Sequence, residues 1–239
     1  MRIEVVPTVE EIRHEQLHNR TAIVIDVLRA SSTIVTALST GFASVIPVET
    51  VGQAYALRAK DIVLAGERHC KSLNEFDYNN SPTAIAAASS PEGKQLVLTT
   101  TNGTRAIQKA ARASCVLIGC FLNATACIQE ALRRKHDIVL YCAGTRQEFA
   151  LEDGLAAGCM VHKARELNTE VQVCDLGSAL EAGYLNLAPE FPDCLFHTIT
   201  GRRLVQHHHT PDILYCSQLD LEKIVPIVKE KRILPCNLS

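Results

Sequence analysis

The chain has 239 residues and a formal net charge of −2, and 47% of its residues are hydrophobic, so it is long and apolar enough to bury a large core. It has no long run of lysine and arginine and no apolar run of about 18 residues, which argues against nucleic-acid-binding and membrane proteins and favours a small-molecule partner. Its ten cysteines are scattered and its first residues lack a signal-peptide pattern, so we expect a soluble protein in a reducing cytoplasm.

Short β-branched runs alternate with helical patterns along the chain, which predicts an α/β fold. The predicted strands cover residues 2–6, 22–27, 44–48, 62–65, 95–99, 115–119, 138–142 and 171–175. The predicted helices cover residues 9–18, 32–41, 51–60, 82–89, 102–112, 123–135, 150–166 and 178–186. We expect three α/β/α layers around a mostly parallel or mixed sheet.

The last quarter of the chain is less regular. Pro189, Pro192 and Pro211 interrupt the pattern after Gly177, and we predict only a strand at residues 212–216 and a short helix at 222–229. Because no linker rich in glycine, serine or proline divides the sequence, residues 1–239 are expected to form one domain or two lobes that share a sheet.

Two predicted strands run directly into hydroxyl-rich helix starts. Residues 98–104 (Leu-Thr-Thr-Thr-Asn-Gly-Thr) lead from one strand into a helix, and residues 26–33 (Asp-Val-Leu-Arg-Ala-Ser-Ser-Thr) form a similar junction earlier. A helix start exposes backbone N–H groups with partial positive charge, which attract anions. The two junctions therefore predict a ligand that carries anionic groups.

Three carboxylates occupy positions just beyond predicted strands, where ligands of open α/β sheets bind. Asp26 closes an apolar strand, Glu67 follows residues 62–65, and Asp153 lies near the strand at 138–142. One or two carboxylates with water and substrate oxygens suit Mg²⁺, so these residues are candidate metal ligands and catalytic groups. The structural alternatives are a helix cap or a salt bridge to Arg29 for Asp26, and a helix-dipole role for Asp153.

Other polar residues have a functional and a structural interpretation. Arg29 is suited to a bidentate contact with an anion, unless it is simply solvated. Asn80 and Ser81 precede Pro82 in the pattern of a capped helix start. We interpret Cys142 as a packed thiol and the three histidines at 207–209 as part of a loop.

Several common active-site motifs are absent from the sequence. It contains no GxxxxGK[ST] phosphate loop, no GxGxxG after a strand and no GxSxG elbow, which disfavours nucleotide hydrolysis, dinucleotide binding and the usual serine hydrolases. A non-catalytic protein that binds a small anion remains the alternative class. Carboxylates beside an anion argue against it, because they repel the ligand unless a cation lies between them.

Taken together, the strand-end segments resemble the 2-phosphosulfolactate phosphatase family. The segments occur in family order at residues 26–33, 65–68, 76–82, 99–104, 142–144 and 151–153. The resemblance implies a Mg²⁺-dependent phosphatase that converts (R)-2-phospho-3-sulfolactate to 3-sulfolactate and phosphate, a step of coenzyme M biosynthesis. A phosphatase for another 2-hydroxy acid phosphate is the closest alternative activity.

With that resemblance, the candidate residues take roles in one active site. Asp26, Glu67 and Asp153 are the expected metal ligands and catalytic residues, and the attacking group is either a metal-activated water or the carboxylate of Asp26 or Asp153. The expected substrate-binding residues are Arg29, Ser31, Ser32, Thr33, Asn80, Ser81, Thr100, Thr101, Asn102, Gly103 and Thr104. A homodimer is the default expectation for the assembly.

Overall fold

The computed structural model describes residues 1–68 and 70–236. Within them, eleven strands form one sheet. The strands are β1 (Arg2–Val6), β2 (Arg20–Ile25), β3 (Ser44–Val48), β4 (Ile62–Arg68), β5 (Lys71–Ser72), β6 (Gln95–Thr99), β7 (Cys115–Gly119), β8 (Asp137–Cys142), β9 (Gln172–Val173), β10 (Pro226–Lys229) and β11 (Arg232–Pro235).

Ten α-helices accompany the sheet in this part of the chain. They are α1 (Ala30–Ser39), α2 (Val51–Ala56), α3 (Pro82–Ala86), α4 (Gly103–Ala110), α5 (Ala124–Arg133), α6 (Leu151–Leu167), α7 (Asp175–Leu187), α8 (Asp193–Phe196), α9 (Ile199–Gln206) and α10 (Thr210–Cys216). None of the described helices has the length and apolar character needed to cross a bilayer.

The sheet is mixed, and its strand order is β5-β4-β6-β3-β11-β10-β7-β2-β8-β1-β9. Parallel pairs join β4, β6 and β3 on one side, and β7, β2, β8, β1 and β9 on the other. The hairpin of β10 and β11 lies between these two parallel halves and pairs antiparallel with β7 and β3. The C-terminal hairpin therefore connects the two halves of the sheet.

Helices cover both faces of the sheet, which confirms the expected three-layer α/β/α class. Along β2, Ile23 and Ile25 pack on one face with side chains of α5 and α6, whereas Ala22 and Val24 pack on the other with α1 and α4. This alternation follows from the two-residue period of a strand, and burial on both faces explains why its sequence is almost wholly apolar.

Most predicted elements are present, with small shifts at their ends. The strands at 2–6, 44–48, 95–99 and 115–119 have the predicted bounds. The helix predicted at 9–18 was wrong, because that segment consists of turns and one short 3₁₀ helix, His14–Gln16. Its tertiary contacts compete with helix formation, since the carbonyl of Val9 accepts hydrogen bonds from Lys109 Nζ (2.8 Å) and Tyr141 Oη (3.1 Å).

Both predictions for the last part of the chain were also wrong. Residues 212–216 belong to helix α10, where Pro211 lies in the first turn and Ile213 and Cys216 are buried one helical turn apart. The helix predicted at 222–229 is replaced by a segment without regular secondary structure and by strand β10, which begins at Pro226. A proline interior to the predicted helix disfavours that helix, and pairing with β11 stabilises the strand.

Helices α6 and α7 pack so closely that one glycine is required between them. A Cβ on Gly158 would lie 2.1 Å from the carbonyl oxygen of Leu180, whereas a Cβ on Gly183 of α7 would meet nothing within 4 Å. We predict that Gly158→Ala lowers the free energy of unfolding by about 1–3 kcal/mol through overpacking. The control Gly183→Ala should raise it by about 0.5–1 kcal/mol through helix propensity.

Urea unfolding of the two variants measures this difference. Equal effects of the two substitutions would contradict the close packing described for α6 and α7.

Candidate functional site

A polar cleft opens beyond the carboxyl ends of the parallel strands, with an empty volume of about 600 Å³ that is partly open to solvent. Its carboxylates come from the residue after β2, from β4 and from the first turn of α6. The loops after β6 and β8 and helix α9 contribute further side chains. We call Asp26, Glu67, Glu152 and Asp153 the acidic cluster of this cleft. Arginines also line it, namely Arg29, Arg146 and Arg203.

Asp26 directly follows β2 and is buried, with 9% of the residue exposed. Its Oδ1 accepts a hydrogen bond from the Ala30 backbone N–H at 3.1 Å, and Oδ2 accepts none from the described residues. Burial, followed by the negative charges of Glu67 and Glu152, raises the pKa of Asp26 from 3.8 to about 7. An ionised Asp26 is therefore costly unless a cation approaches it.

Close packing fixes the position of Asp26. A Cβ on Gly103, the first residue of α4, would lie 2.4 Å from Ala30 Cβ and 2.6 Å from Asp26 Oδ2. Only a residue without a side chain fits there, so glycine allows the start of α4 to contact the loop after β2. Gly103 itself does not line the cleft.

Asp153 connects two loops of the cleft. Its Oδ1 accepts a hydrogen bond from the backbone N–H of Val27 at 2.8 Å, and its Oδ2 accepts one from Gly144 at 3.0 Å. Burial and the charges of Asp26 and Glu152 nevertheless raise the pKa of Asp153 well above its ordinary value. Because both oxygens are occupied, this carboxylate has a clear structural function.

Glu152 is buried beside Asp153 in the first turn of α6. Burial raises the pKa of Glu152, although hydrogen bonds from the hydroxyls of Thr200 and Thr198 and the charge of Arg203 oppose this rise. Thr200 and Arg203 line the cleft and lie on α9, so this helix supplies polar partners to the acidic cluster.

The hydroxyl-rich loop after β6 contacts Glu67. The backbone N–H and the Oγ1 of Thr101 both donate to Glu67 Oε1 at 2.9 Å, and the backbone N–H of Cys70 donates to Oε2 at 2.7 Å. Thr100 and Thr104 hydrogen-bond to each other. The predicted anion-binding loop thus already binds one anionic group, the carboxylate of Glu67.

The hydroxyls after β2 face the backbone. Ser31 Oγ accepts from the Asp26 N–H at 3.0 Å and donates to the Val24 carbonyl, and Ser32 Oγ donates to the Val27 carbonyl at 2.8 Å. Thr33 is fully buried, and none of these three residues lines the cleft. The hydroxyls of Ser31 and Ser32 stabilise the turn that carries Asp26 and Arg29, whereas Thr33 Oγ1 is buried without a hydrogen-bond partner among the described residues.

Arg29 lines the cleft and forms an ion pair with Asp212 of α10, which lies outside the cleft lining. Its Nη1 lies 2.5 Å from Asp212 Oδ2, and both side chains are buried. The other oxygen, Oδ1, accepts hydrogen bonds from Ser81 Oγ at 2.8 Å and Thr83 Oγ1 at 2.6 Å. Ser81 therefore contacts Asp212 and does not line the cleft, and the same hydroxyl also caps α3.

Of the remaining predicted residues, Asn80 lines the cleft and its Oδ1 is buried without a hydrogen-bond partner among the described residues. Thr100, Thr101 and Asn102 also line it, and Thr104 does not. Cys142 is fully buried, and burial raises the pKa of its thiol well above the ordinary value, which agrees with its interpretation as a packed thiol.

The sequence analysis missed four residues of the cleft, namely Cys70, Arg146, Thr200 and Arg203, as well as Asp212 behind Arg29. The residues of α9 and α10 follow Gly177, where no strand-end pattern marks them. The proline at 211 followed by an acidic residue is a helix-start signal that would have placed Asp212 on a helix.

The donor atoms of the acidic cluster suit a hard cation. Carboxylate oxygens are the ligands that Mg²⁺ prefers, usually one or two of them with water and substrate phosphate. The described residues contain no group of three histidine, cysteine, aspartate or glutamate side chains already arranged to hold a metal. The acidic cluster therefore offers oxygen ligands of the kind that a hard cation binds, among them Asp26 Oδ2, which accepts no hydrogen bond from the described residues.

A cleft at the carboxyl ends of the strands that combines carboxylates with arginines is typical of α/β proteins that bind small charged ligands. The family model of 2-phosphosulpholactate phosphatase matches residues 6–231. The chain belongs to that family.

Curated relatives agree over nearly full length. A probable 2-phosphosulfolactate phosphatase of Thermotoga petrophila is 39% identical over 207 residues, which cover 87% of this chain and 88% of the relative. One of Caldanaerobacter subterraneus is 36% identical over 233 residues, or 96% of each chain. One of Clostridium acetobutylicum is 32% identical over 229 residues, or 95% of this chain and 97% of the relative.

The raised pKa of Asp26 predicts a pH-dependent stability in metal-free buffer. The folded protein keeps a proton that the unfolded chain loses above about pH 4, so Asp26 should lower the free energy of unfolding as pH rises towards about 7. Relative to Asp26→Asn, the wild type should lose on the order of 1–2 kcal/mol between about pH 5 and pH 8.

Urea unfolding at a series of pH values, with a chelator present, measures this loss. Asp61→Asn, which changes an exposed carboxylate outside the cleft, is the control and should follow the wild type. Curves for wild type and Asp26→Asn that run parallel would contradict the account of Asp26.

Proposed function

We propose that this protein is a Mg²⁺-dependent phosphatase that hydrolyses (R)-2-phospho-3-sulfolactate to 3-sulfolactate and phosphate, a step of coenzyme M biosynthesis. The observation that carries the proposal is the cleft itself, in which a buried acidic cluster lies beside arginines in a member of the 2-phosphosulpholactate phosphatase family. The curated relatives are named for the same activity.

The acidic cluster supports a metal-dependent enzyme over a simple anion-binding protein. A protein that only binds an anion gains nothing from buried carboxylates such as Asp26 and Asp153 next to the ligand, because like charges repel. A divalent cation between the carboxylates and a phosphate removes that repulsion. When bound, Mg²⁺ would neutralise negative charge that develops on the transferred phosphoryl group.

Asp26 is the residue on which turnover depends in this proposal. Its Oδ2 is not occupied by backbone donors, whereas both oxygens of Glu67 and of Asp153 accept hydrogen bonds. The same oxygen suits a cation ligand and a nucleophile that attacks phosphorus, so both roles require an ionised carboxylate at this position. Phosphoryl transfer otherwise needs mainly correct placement of the reacting groups.

The surrounding residues hold Asp26 in place. Asp153 accepts hydrogen bonds from the loop after β2 and from the loop after β8. Asn102 Nδ2, in the loop after β6, donates to the Gly144 carbonyl in the loop after β8 at 3.1 Å. Glu67 holds the loop after β6 through Thr101. These contacts fix the loops before substrate arrives, which reduces the entropy lost in reaching the reactive geometry.

Phosphate release from 2-phosphosulfolactate, with Mg²⁺ and with a chelator, tests the proposal. We predict Mg²⁺-dependent turnover by the wild type and a loss of at least about 10³-fold in kcat for Asp26→Asn, which removes the charge but keeps the shape. Asp61→Asn should keep wild-type activity.

Two results would contradict the proposal. Full activity of Asp26→Asn would remove Asp26 from the active site, and turnover unaffected by chelation would remove the metal. Turnover of 2-phospholactate but not of 2-phosphosulfolactate would favour a phosphatase for another 2-hydroxy acid phosphate.

A further inference from the structure

Asp212 is a buried carboxylate in the first turn of α10 that does not line the cleft. Both of its oxygens nevertheless have partners. Oδ2 lies 2.5 Å from Arg29 Nη1. Oδ1 accepts hydrogen bonds from Ser81 Oγ at 2.8 Å, and from the backbone N–H and the Oγ1 of Thr83 at 3.2 and 2.6 Å. Hydrogen bonds to a carboxylate are short and strong, so Asp212 fixes the residues around it.

The partners of Asp212 lie on two segments that come from different halves of the sheet. Arg29 follows β2, whereas Ser81 and Thr83 lie at the start of α3, which comes after β4 and β5. Each segment also contributes a cleft residue, namely Arg29 on the first and Asn80 on the second. Asp212 therefore joins two cleft-lining segments from a position outside the cleft.

Burial makes a carboxylate necessary at this position. The side chains of Arg29 and Asp212 are 2% and 1% exposed, so the guanidinium needs a counter-ion within the protein. His209 Nδ1 lies 3.8 Å from the same Oδ2, which is too far for a hydrogen bond. An amide has only one acceptor oxygen, so asparagine here could serve Arg29 or the donors of Ser81 and Thr83, but not both. The carboxylate is thus what holds both segments at once.

We propose that Asp212 is a positioning residue for the reaction in the cleft, because it holds Arg29 and the segment of Asn80 in the geometry that turnover requires. This inference rests on the proposed function. Asp212 lies outside the cleft and acts only through these residues. Its role is the same whichever reacting group Arg29 contacts, since a shift of about 1 Å in the residues of an active site can lower the rate about 10²-fold.

Asp212→Glu tests the role of position separately from that of charge. The variant keeps the counter-ion of Arg29 but adds one methylene group, so the carboxylate and its partners must shift by about 1 Å. With 2-phosphosulfolactate as substrate, kcat should fall about 10- to 100-fold. KM should change by less than about threefold, because no contact with the bound substrate is removed.

Thr83→Val is a milder variant of the same contact, and it decides the question if Asp212→Glu does not fold. It removes one hydroxyl donor to Asp212 Oδ1 and keeps the shape of the side chain. We expect kcat to fall about 3- to 10-fold with KM again nearly unchanged.

Asp220→Glu and Thr125→Val are the matched controls. Asp220 accepts hydrogen bonds from the backbone N–H and the Oγ1 of Thr125, both at 2.7 Å, and lies 3.0 Å from Lys163 Nζ. It thus has the same kinds of partner as Asp212, but neither it nor those partners line the cleft. Both controls should keep kcat within about threefold of the wild type. Unchanged kcat in Asp212→Glu, or an equal loss in Asp220→Glu, would overturn the assignment.

Crystal structures of the wild type and the variants separate this inference from the proposed function. If the wild type does not hydrolyse 2-phosphosulfolactate, the proposed function fails, and the positions of Arg29 and Asn80 still test the role of Asp212. We expect at least one of these two side chains to move by more than about 0.5 Å in Asp212→Glu, or in Thr83→Val if the first variant does not fold. Neither should move in Asp220→Glu. Unmoved Arg29 and Asn80 in the variant tested would overturn the inference.

Discussion

The close contact between the start of α4 and the loop after β2 is the constraint on which the cleft depends. Strands β2 and β6 are not neighbours in the sheet, since β3, β11, β10 and β7 lie between them. Their loops nevertheless meet, because Gly103 leaves room for Ala30 and for Asp26. The two parallel halves of the sheet, connected by the C-terminal hairpin, thereby contribute opposite parts of one site.

Charge is the second constraint, and it opposes stability. Burial raises the pKa of Asp26, Glu152 and Asp153, so these side chains resist ionisation in the folded protein. Backbone N–H groups stabilise part of the acidic cluster, as the two hydrogen bonds to Asp153 do. In our proposal, a bound cation compensates the rest, which links the cost of folding to the function of the site.

The sequence predicted those features that depend on local pattern. Apolar β-branched runs predicted the positions of most strands. Because ligands bind beyond the carboxyl ends of parallel strands, Asp26, Glu67 and Asp153 were predicted to lie close together, and all three line one cleft. The hydroxyls of Ser31 and Ser32 could not be placed in the same way, because a hydroxyl binds the nearest free backbone group before any ligand. Tertiary packing of α9 and α10 brings Arg203 to the cleft and Asp212 to Arg29, and local pattern does not encode that packing.

The most direct test of this account is a crystal structure of the protein with Mg²⁺ and 3-sulfolactate. The account predicts a cation about 2.1 Å from a carboxylate oxygen of Asp26, and 3-sulfolactate bound in the same cleft. A cation bound away from the acidic cluster, or 3-sulfolactate bound outside the cleft, would contradict it.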